Sequence, residues 1–405
     1  MYMKKELIIA ACLTLFTLPL SAQDVIQWRG TDRSGIYNET GLLKSWPAGG
    51  PTMLWKYDQL GDGYSSVAIA NNKIYIAGSI AGQGTLFVFD MNGKLLTQKK
   101  YGPEWTTNYV GSRCTPTISE GKLYLYSGEG DLVCMDENTL DILWKKSIIT
   151  DFQGENLRFG VNESPLVVDD KVIITPGKKN NVVALNKKTG DVIWTCAGEG
   201  DRAAYCSPLY LSDQEVPLIV TIMGKHVLGI HAKTGEKLWS FPYNNQRDIH
   251  PNTPIYADNM LLCIYGYGKG SIMLRLTDGG RKVEQVWENK ELDSKFGGAV
   301  KVGDYAYASG DNNRYWFCVD WKTGENKYKE KGLAMGNVIY ADGLLYCYSD
   351  KGEMALVRPT PEKFDIVSQF PVTLGTGEHW AHTVIYKGVM YVRHGDTLMA
   401  YDIKQ

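Results

Sequence analysis

The sequence predicts an all-β protein: one eight-bladed β-propeller of four-stranded blades, closed by an N-terminal strand at about 52–59 that completes the last blade. Three observations predict it. The chain repeats itself eight times with a period in the forties. Each repeat divides into four short strand-like runs separated by Gly, Asp and Asn turns. The eighth repeat stops after three runs, and a spare strand with a tryptophan stands at the other end.

Taken in chain order, the first element is "MYMKKELIIAACLTLFTLPLSAQ", with a short basic start, an apolar stretch Leu7–Leu20 and small residues at Ser21-Ala22. It reads as a secretory signal peptide, residues 1–22, cut after Ala22. It is short for a membrane span and no second apolar run follows, so an integral membrane protein is not expected. "IAAC" ending at Cys12 resembles a lipobox, but the apolar segment before it is very short and an apolar run continues after it; cleavage at Ala22 is preferred. The expected location is periplasmic or secreted. Residues 23–50 form an extension expected to pack on the outside or across one end. Residues 51–405 are the propeller.

The repeat is clearest in "TPTISEGKLYLYSGEGDLVCMDENTLDILWKKS", residues 115–147, which reads as strands over 117–119, 123–127, 132–136 and 142–146. Anchoring each repeat on its second strand aligns Tyr75, Tyr124, Ile173, Ile219, Leu262, Ala306, Tyr346 and Tyr391, spaced 40 to 49 residues apart. Four strands at that period are a propeller blade. The last turn recurs as well. Asp136 to Trp144, Asn186 to Trp194, His231 to Trp239 and Asp320 to Tyr328 are each eight apart, with Thr-Gly inside three of them. Asp or Asn can bond the turn's own backbone, Gly supplies its conformation, and the ring can pack between blades. "TMLWKYDQ", residues 52–59, supplies the fourth strand and the tryptophan that the eighth repeat lacks, which closes the ring and hides two sheet edges.

Bulk properties narrow the function. A net charge of −2 points to neither nucleic acid nor an anionic membrane. Past Ala22 seven cysteines are scattered singly, which argues against a disulfide framework and leaves no CxxCH or CxxC motif. A monomer is expected.

The D-x-x-T-G-x-x-x-W turn, repeated around eight blades, resembles the quinoprotein-like, or PQQ-repeat, propeller family. "WRGTDRSGIY…GLLKSWPAGGP" resembles exported members common in Bacteroidetes. The family includes dehydrogenases and non-enzymatic scaffolds. The dehydrogenase branch implies an adjacent cysteine pair and a Gly-rich segment with a calcium-binding Glu and an Arg. This chain has no Cys-Cys, and the comparable place reads Thr175-Pro176-Gly177-Lys178-Lys179-Asn180-Asn181. No cofactor is expected, PQQ with calcium included. The scaffold branch resembles outer-membrane assembly propellers, which offer their loops to partners.

In a propeller the residues just before each inner strand converge on the axis. That slot holds Ser66, Thr115, Ser164, Ser207, Thr253, Gly297, Asn337 and His382. One residue earlier stand Glu163, Cys114, Cys206 and others; two earlier stand Tyr64, Arg113, Asn162, Tyr205, Pro251, Lys295, Met335 and Trp380. Arg113 and Glu163 could pair. His250, His379 and His382 lie in the same approach loops, whereas His226, His231 and His394 look structural. The expected ligand site is Arg113, Asn162, Glu163, Tyr205, His250, Lys295, His379, Trp380 and His382, with aromatic faces and polar groups suited to a glycan or another polyhydroxylated molecule. His379 and His382 fall on opposite faces of a strand, so no metal site is expected. A binding scaffold for a polymer, glycan or envelope protein is the preferred function. The alternative is an enzyme acting on a carbohydrate-like or alcohol substrate, with Glu163, His250 and His382 as acid–base candidates and Arg113 and Lys295 stabilising negative charge.

Overall fold

All eight residues that anchor the repeat alignment lie in the second of the four antiparallel strands of a blade, from Tyr75 in Lys73–Ile80 to Tyr391 in Val389–His394. The computed structural model describes residues 23–405; the expected signal peptide and Cys12 lie outside them. The first blade is Ala68–Ala70, Lys73–Ile80, Gln83–Asp90 and Leu95–Pro103, and the second Thr117–Ser119, Lys122–Tyr126, Asp131–Asp136 and Ile142–Ser147. The strands expected for that second blade are within one residue of these. Blades three to seven follow in chain order, and their inner strands ring the axis.

The repeated turn works as its residue types require. Asp136 Oδ1 accepts from the N–H groups of Asn138 and Thr139 at 2.9 and 3.0 Å. Asn186 and Asp320 repeat this, and His231 uses Nδ1 as the acceptor. Gly235 has φ +76° and would place a Cβ 2.6 Å from the Trp194 ring. The turn glycine of one blade is therefore the surface on which the previous blade's tryptophan lies. Here the position needs both a positive φ and the missing side chain.

Thr52–Tyr57 pairs antiparallel with Thr397–Asp402, Thr52 opposite Asp402 and Tyr57 opposite Leu398, so the N-terminal strand completes the eighth blade. Trp55 reaches back to the first blade, its Nε1 donating to the Met91 carbonyl at 3.3 Å. The seven described cysteines are all buried free thiols.

The extension meets expectation only in its second half. Residues 38–50 pack on the outside of the seventh and eighth blades, Leu43 N–H donating to the Ile403 carbonyl and Trp46 N–H to Ser368 Oγ. Residues 23–37 instead run into the axial channel. The Val25 carbonyl accepts from Ile69 N–H in the first blade and that of Ile26 from Ile118 in the second. Ile36–Tyr37 then adds a parallel strand to the inner strand of the seventh blade, Gly336–Ala341. Between these anchors two arginines hold the plug. Arg29 donates to the carbonyls of Ala299 and Val338 at 2.5 and 3.2 Å, and Arg33 to those of Pro208 and Pro165 at 2.7 and 2.8 Å. Both side chains are fully buried. Four blades that need acceptors satisfied at the start of their inner strands thus share two guanidinium forks.

Candidate binding site at the axial mouth

The slot before the inner strands forms a belt of inter-blade hydrogen bonds. Ser66 N–H donates to Thr115 Oγ1 at 3.0 Å, Thr115 N–H to Ser164 Oγ at 3.1 Å, and Ser164 N–H to Ser207 Oγ at 2.8 Å. The belt closes onto the eighth blade through Ser66 Oγ, which donates to the His382 carbonyl at 2.8 Å. Small hydroxylated residues stand there because a short side chain beside the axis can reach the next blade's backbone and little else.

Above the belt is a pocket of about 240 Å³. Its wall is the slot two residues earlier: Tyr64, Arg113, Asn162, Tyr205, Pro251, Lys295 and Trp380 all line it, and only Met335 of the seventh blade does not. Tyr109, Phe159 and Phe296 add rings from the same loops, and Trp380 packs against Tyr109, Tyr64 and Phe296 with centroids 4.8, 5.2 and 5.4 Å apart. Trp28, carried in by the plug, and His382 line it beside the plug. Tyr267 comes from the hairpin between the second and third strands of the fifth blade. Trp28 and Tyr267 lie outside the aligned slot, so repeat alignment could not find them.

Three lining aromatics hold left-handed backbone: Tyr109 at φ +45°, Tyr205 at +72° and Tyr267 at +62°. For bulky residues this costs energy, and such outliers gather where a surrounding structure holds a functional surface in place. Asn162 Oδ1 is buried in this wall without a hydrogen-bond partner. An orphaned buried acceptor is expensive.

Of the expected site, Arg113, Asn162, Tyr205, Lys295, Trp380 and His382 come together; Glu163, His250 and His379 do not. Glu163 and Arg113 form no ion pair. Glu163 faces the body of its blade and accepts from Thr175 N–H at 3.0 Å and from the Thr175 hydroxyl, while Arg113 donates to the carbonyls of Gly111, Asn108 and Tyr109. Burial raises Glu163 to about 7. His250 is wholly buried, with Nε2 2.9 Å from the Gly224 carbonyl; burial lowers it to about 4. His379 stacks on His394 at 3.5 Å and meets the Tyr348 hydroxyl, away from the mouth. His394 is structural as expected, its ring nitrogens 2.7 and 3.0 Å from the Leu374 and Gly377 carbonyls.

His382 reaches the pocket but is locked. Nε2 lies 3.1 Å from the Phe296 carbonyl and must donate; Nδ1 accepts from Arg29 at 3.2 Å. Burial and the Arg29 cation push it down to about 3, so the imidazole is neutral with both nitrogens committed. Lys295 pairs with Asp311 at 3.0 Å. The wall contains no Asp or Glu. Among the described residues no three His, Cys, Asp or Glu side chains gather as a metal-ligand set, and no helix is long and apolar enough to cross a membrane.

This geometry can be set beside known proteins. The outer membrane protein assembly factor BamB of Shewanella oneidensis is 22% identical over 207 residues, 51% of this chain and 49% of that protein. The lanthanide-dependent methanol dehydrogenase of Methylacidiphilum fumariolicum is 27% identical over 122 residues, 26% of this chain and 19% of that enzyme. These matches span less than half the length of the curated relatives. Among solved structures, BamB from Moraxella catarrhalis superposes with a TM-score of 0.64 at 15% identity, covering 87% of this chain and all of the other. The quinohemoprotein alcohol dehydrogenase of Comamonas testosteroni gives 0.66 at 11%, covering 93% of this chain and 80% of the enzyme. At such identities the likeness is one of fold. The family model described as outer membrane protein assembly factor BamB matches residues 47–197 and 157–361. On that match the chain belongs to the BamB family of PQQ-repeat propellers.

Proposed function

We propose that this propeller is a non-catalytic binding scaffold of the cell envelope, and that the axial mouth is where it holds a partner. One observation carries the reading: the pocket gathers strained aromatic residues, while none of the three acid–base candidates, Glu163, His250 and His382, offers it a free titratable atom. Glu163 and His250 point elsewhere, and both His382 nitrogens are committed. A general acid or base needs a titratable atom within reach of its substrate. Calcium-bound PQQ is a poor fit to the same wall, because a hard cation wants oxygen ligands and no carboxylate lines it. The family's name, an assembly factor for outer membrane proteins, supports an envelope protein as the partner, and the signal-like N-terminus supports export. A glycan remains the second ligand for such a surface, favoured by Asn162 beside the stacked rings.

The test is photo-crosslinking in the native envelope from position 109, where Tyr109 is 46% exposed at the mouth, against position 143 on an outer strand. Crosslinks to defined envelope proteins from 109 and not from 143 are expected. Equal patterns from both positions, or none from 109, would reject the mouth as the binding surface.

A further inference from the structure

We infer that the axial pocket reads an acidic peptide segment anchored by one aromatic side chain. This rests on the mouth being the binding surface and goes on to say what binds there.

Size comes first. About 240 Å³ is below the roughly 300–1,000 Å³ of pockets that enclose a drug-sized ligand. It suits one large side chain, with the rest of the ligand lying across the rim. The rings of the wall favour an aromatic guest, since such rings pack edge-to-face or offset and carry most of the energy of peptide recognition.

Charge decides the flanks. Arg158 lies over Phe159 at 5.5 Å, and Arg247 and Lys295 lie over Tyr267 at 5.1 and 5.7 Å. The Tyr267 hydroxyl feels those three cations against one carboxylate, Asp311, which Lys295 already holds. Across the pocket, at Tyr64, Arg113 and Arg393 are balanced by Glu378 and Asp62. The excess positive field is therefore on the side of blades three to six. A ligand bearing carboxylates next to its anchor would be drawn to that side.

The experiment is fluorescence anisotropy with labelled pentapeptides on the full mature chain. Glu-Asp-Tyr-Asp-Glu and its tryptophan and phenylalanine analogues are the positive probes. Alanine-centred and lysine-flanked analogues are the comparisons, and a neutral oligosaccharide is the competitor. The three aromatic probes should bind at least about tenfold tighter than the alanine one, and weaken with salt. Arg158→Glu with Arg247→Glu, both at exposed positions, should reverse the preference towards lysine flanks without unfolding the protein. Equal binding of acidic and basic probes, or displacement by the oligosaccharide alone, would overturn the inference. If crosslinks still form from position 109 while no acidic probe binds, the mouth stands as the binding surface and this assignment falls. If neither occurs, both fall.

Discussion

Burial makes Glu163 and Glu104 harder to ionise, raising each to about 7, and makes His250, His379 and His382 harder to charge, lowering them to about 4, 4 and 3. The two sets act on stability in opposite directions. A carboxyl raised in the fold contributes stability that is present below its ordinary value near 4.5 and is lost as pH climbs through about 7. A histidine lowered in the fold contributes stability that is present above about 6.5 and is lost as pH falls towards 4. Glu163→Gln keeps an acceptor for Thr175 N–H and a donor for its hydroxyl, but cannot ionise. Urea midpoints measured from pH 4.5 to 8 should show the variant gaining on the parent up to about pH 7 and holding its advantage above it. Parallel profiles would mean that Glu163 is not the buried acid described. The reason Glu163 and His250 looked like site residues is also residue-sized. In the extended approach loops neighbouring side chains point to opposite sides. Asn162 and Ser164 face the pocket and Glu163 between them does not; Ile249 and Pro251 face it and His250 does not. The repeats revealed the slot, and hence Arg113, Asn162, Tyr205, Lys295 and Trp380. Which parity faces inward depends on loop backbone that no residue type announces.

Among the elements, the extension was least legible, because nothing repeats in it and Arg29 and Arg33 read as ordinary charged residues. Only the channel explains them. Arg33 is fixed by Gln27 Oε1 at 3.0 Å and by the Pro165 and Pro208 carbonyls. Its guanidinium stays cationic although burial lowers it to about 10. Arg33→Met would keep much of the apolar contact and orphan the Gln27 and Pro208 acceptors, the Pro165 carbonyl still accepting from the Thr117 hydroxyl; at about 1 kcal/mol or more each, a loss of about 2 kcal/mol is expected from chemical denaturation. Lysine should rescue only part of it, since a single ammonium cannot span the fork. An extension that merely lay on the surface would lose no more than about 0.5 kcal/mol. By contrast, the blade turns were fully legible. Asp136, Asn186 and Asp320 each meet a local backbone need, and local needs leave marks at fixed offsets.

At the scale of the whole molecule, seven blades close on themselves through hairpins, and the eighth closes only because a strand from one end of the fold meets three from the other. Thr52–Tyr57 covers the edge of Thr397–Asp402, which would otherwise present unpaired backbone groups able to capture another chain. The plug and this strand are consecutive in sequence but do different work, and two truncations separate them. A chain beginning at residue 51 loses Arg29, Arg33 and Trp28 but keeps the closing strand. It should be less stable and bind mouth ligands weakly, yet remain monomeric, because no sheet edge of the eighth blade is opened. A chain beginning at residue 58 loses the closing strand as well, and Trp55 with it, which packs near Phe89 and Tyr391 at the seam of first and last blades. It should self-associate and unfold over a broader denaturant range, as blades with a loose terminal edge open one after another. Light scattering and urea titration of the two chains side by side would decide. Two monomers with the same midpoint would mean that the belt of Ser66, Thr115, Ser164 and Ser207 holds the ring by itself. A difference confined to the second chain would place the latch in the one strand that crosses from the beginning of the fold to its end.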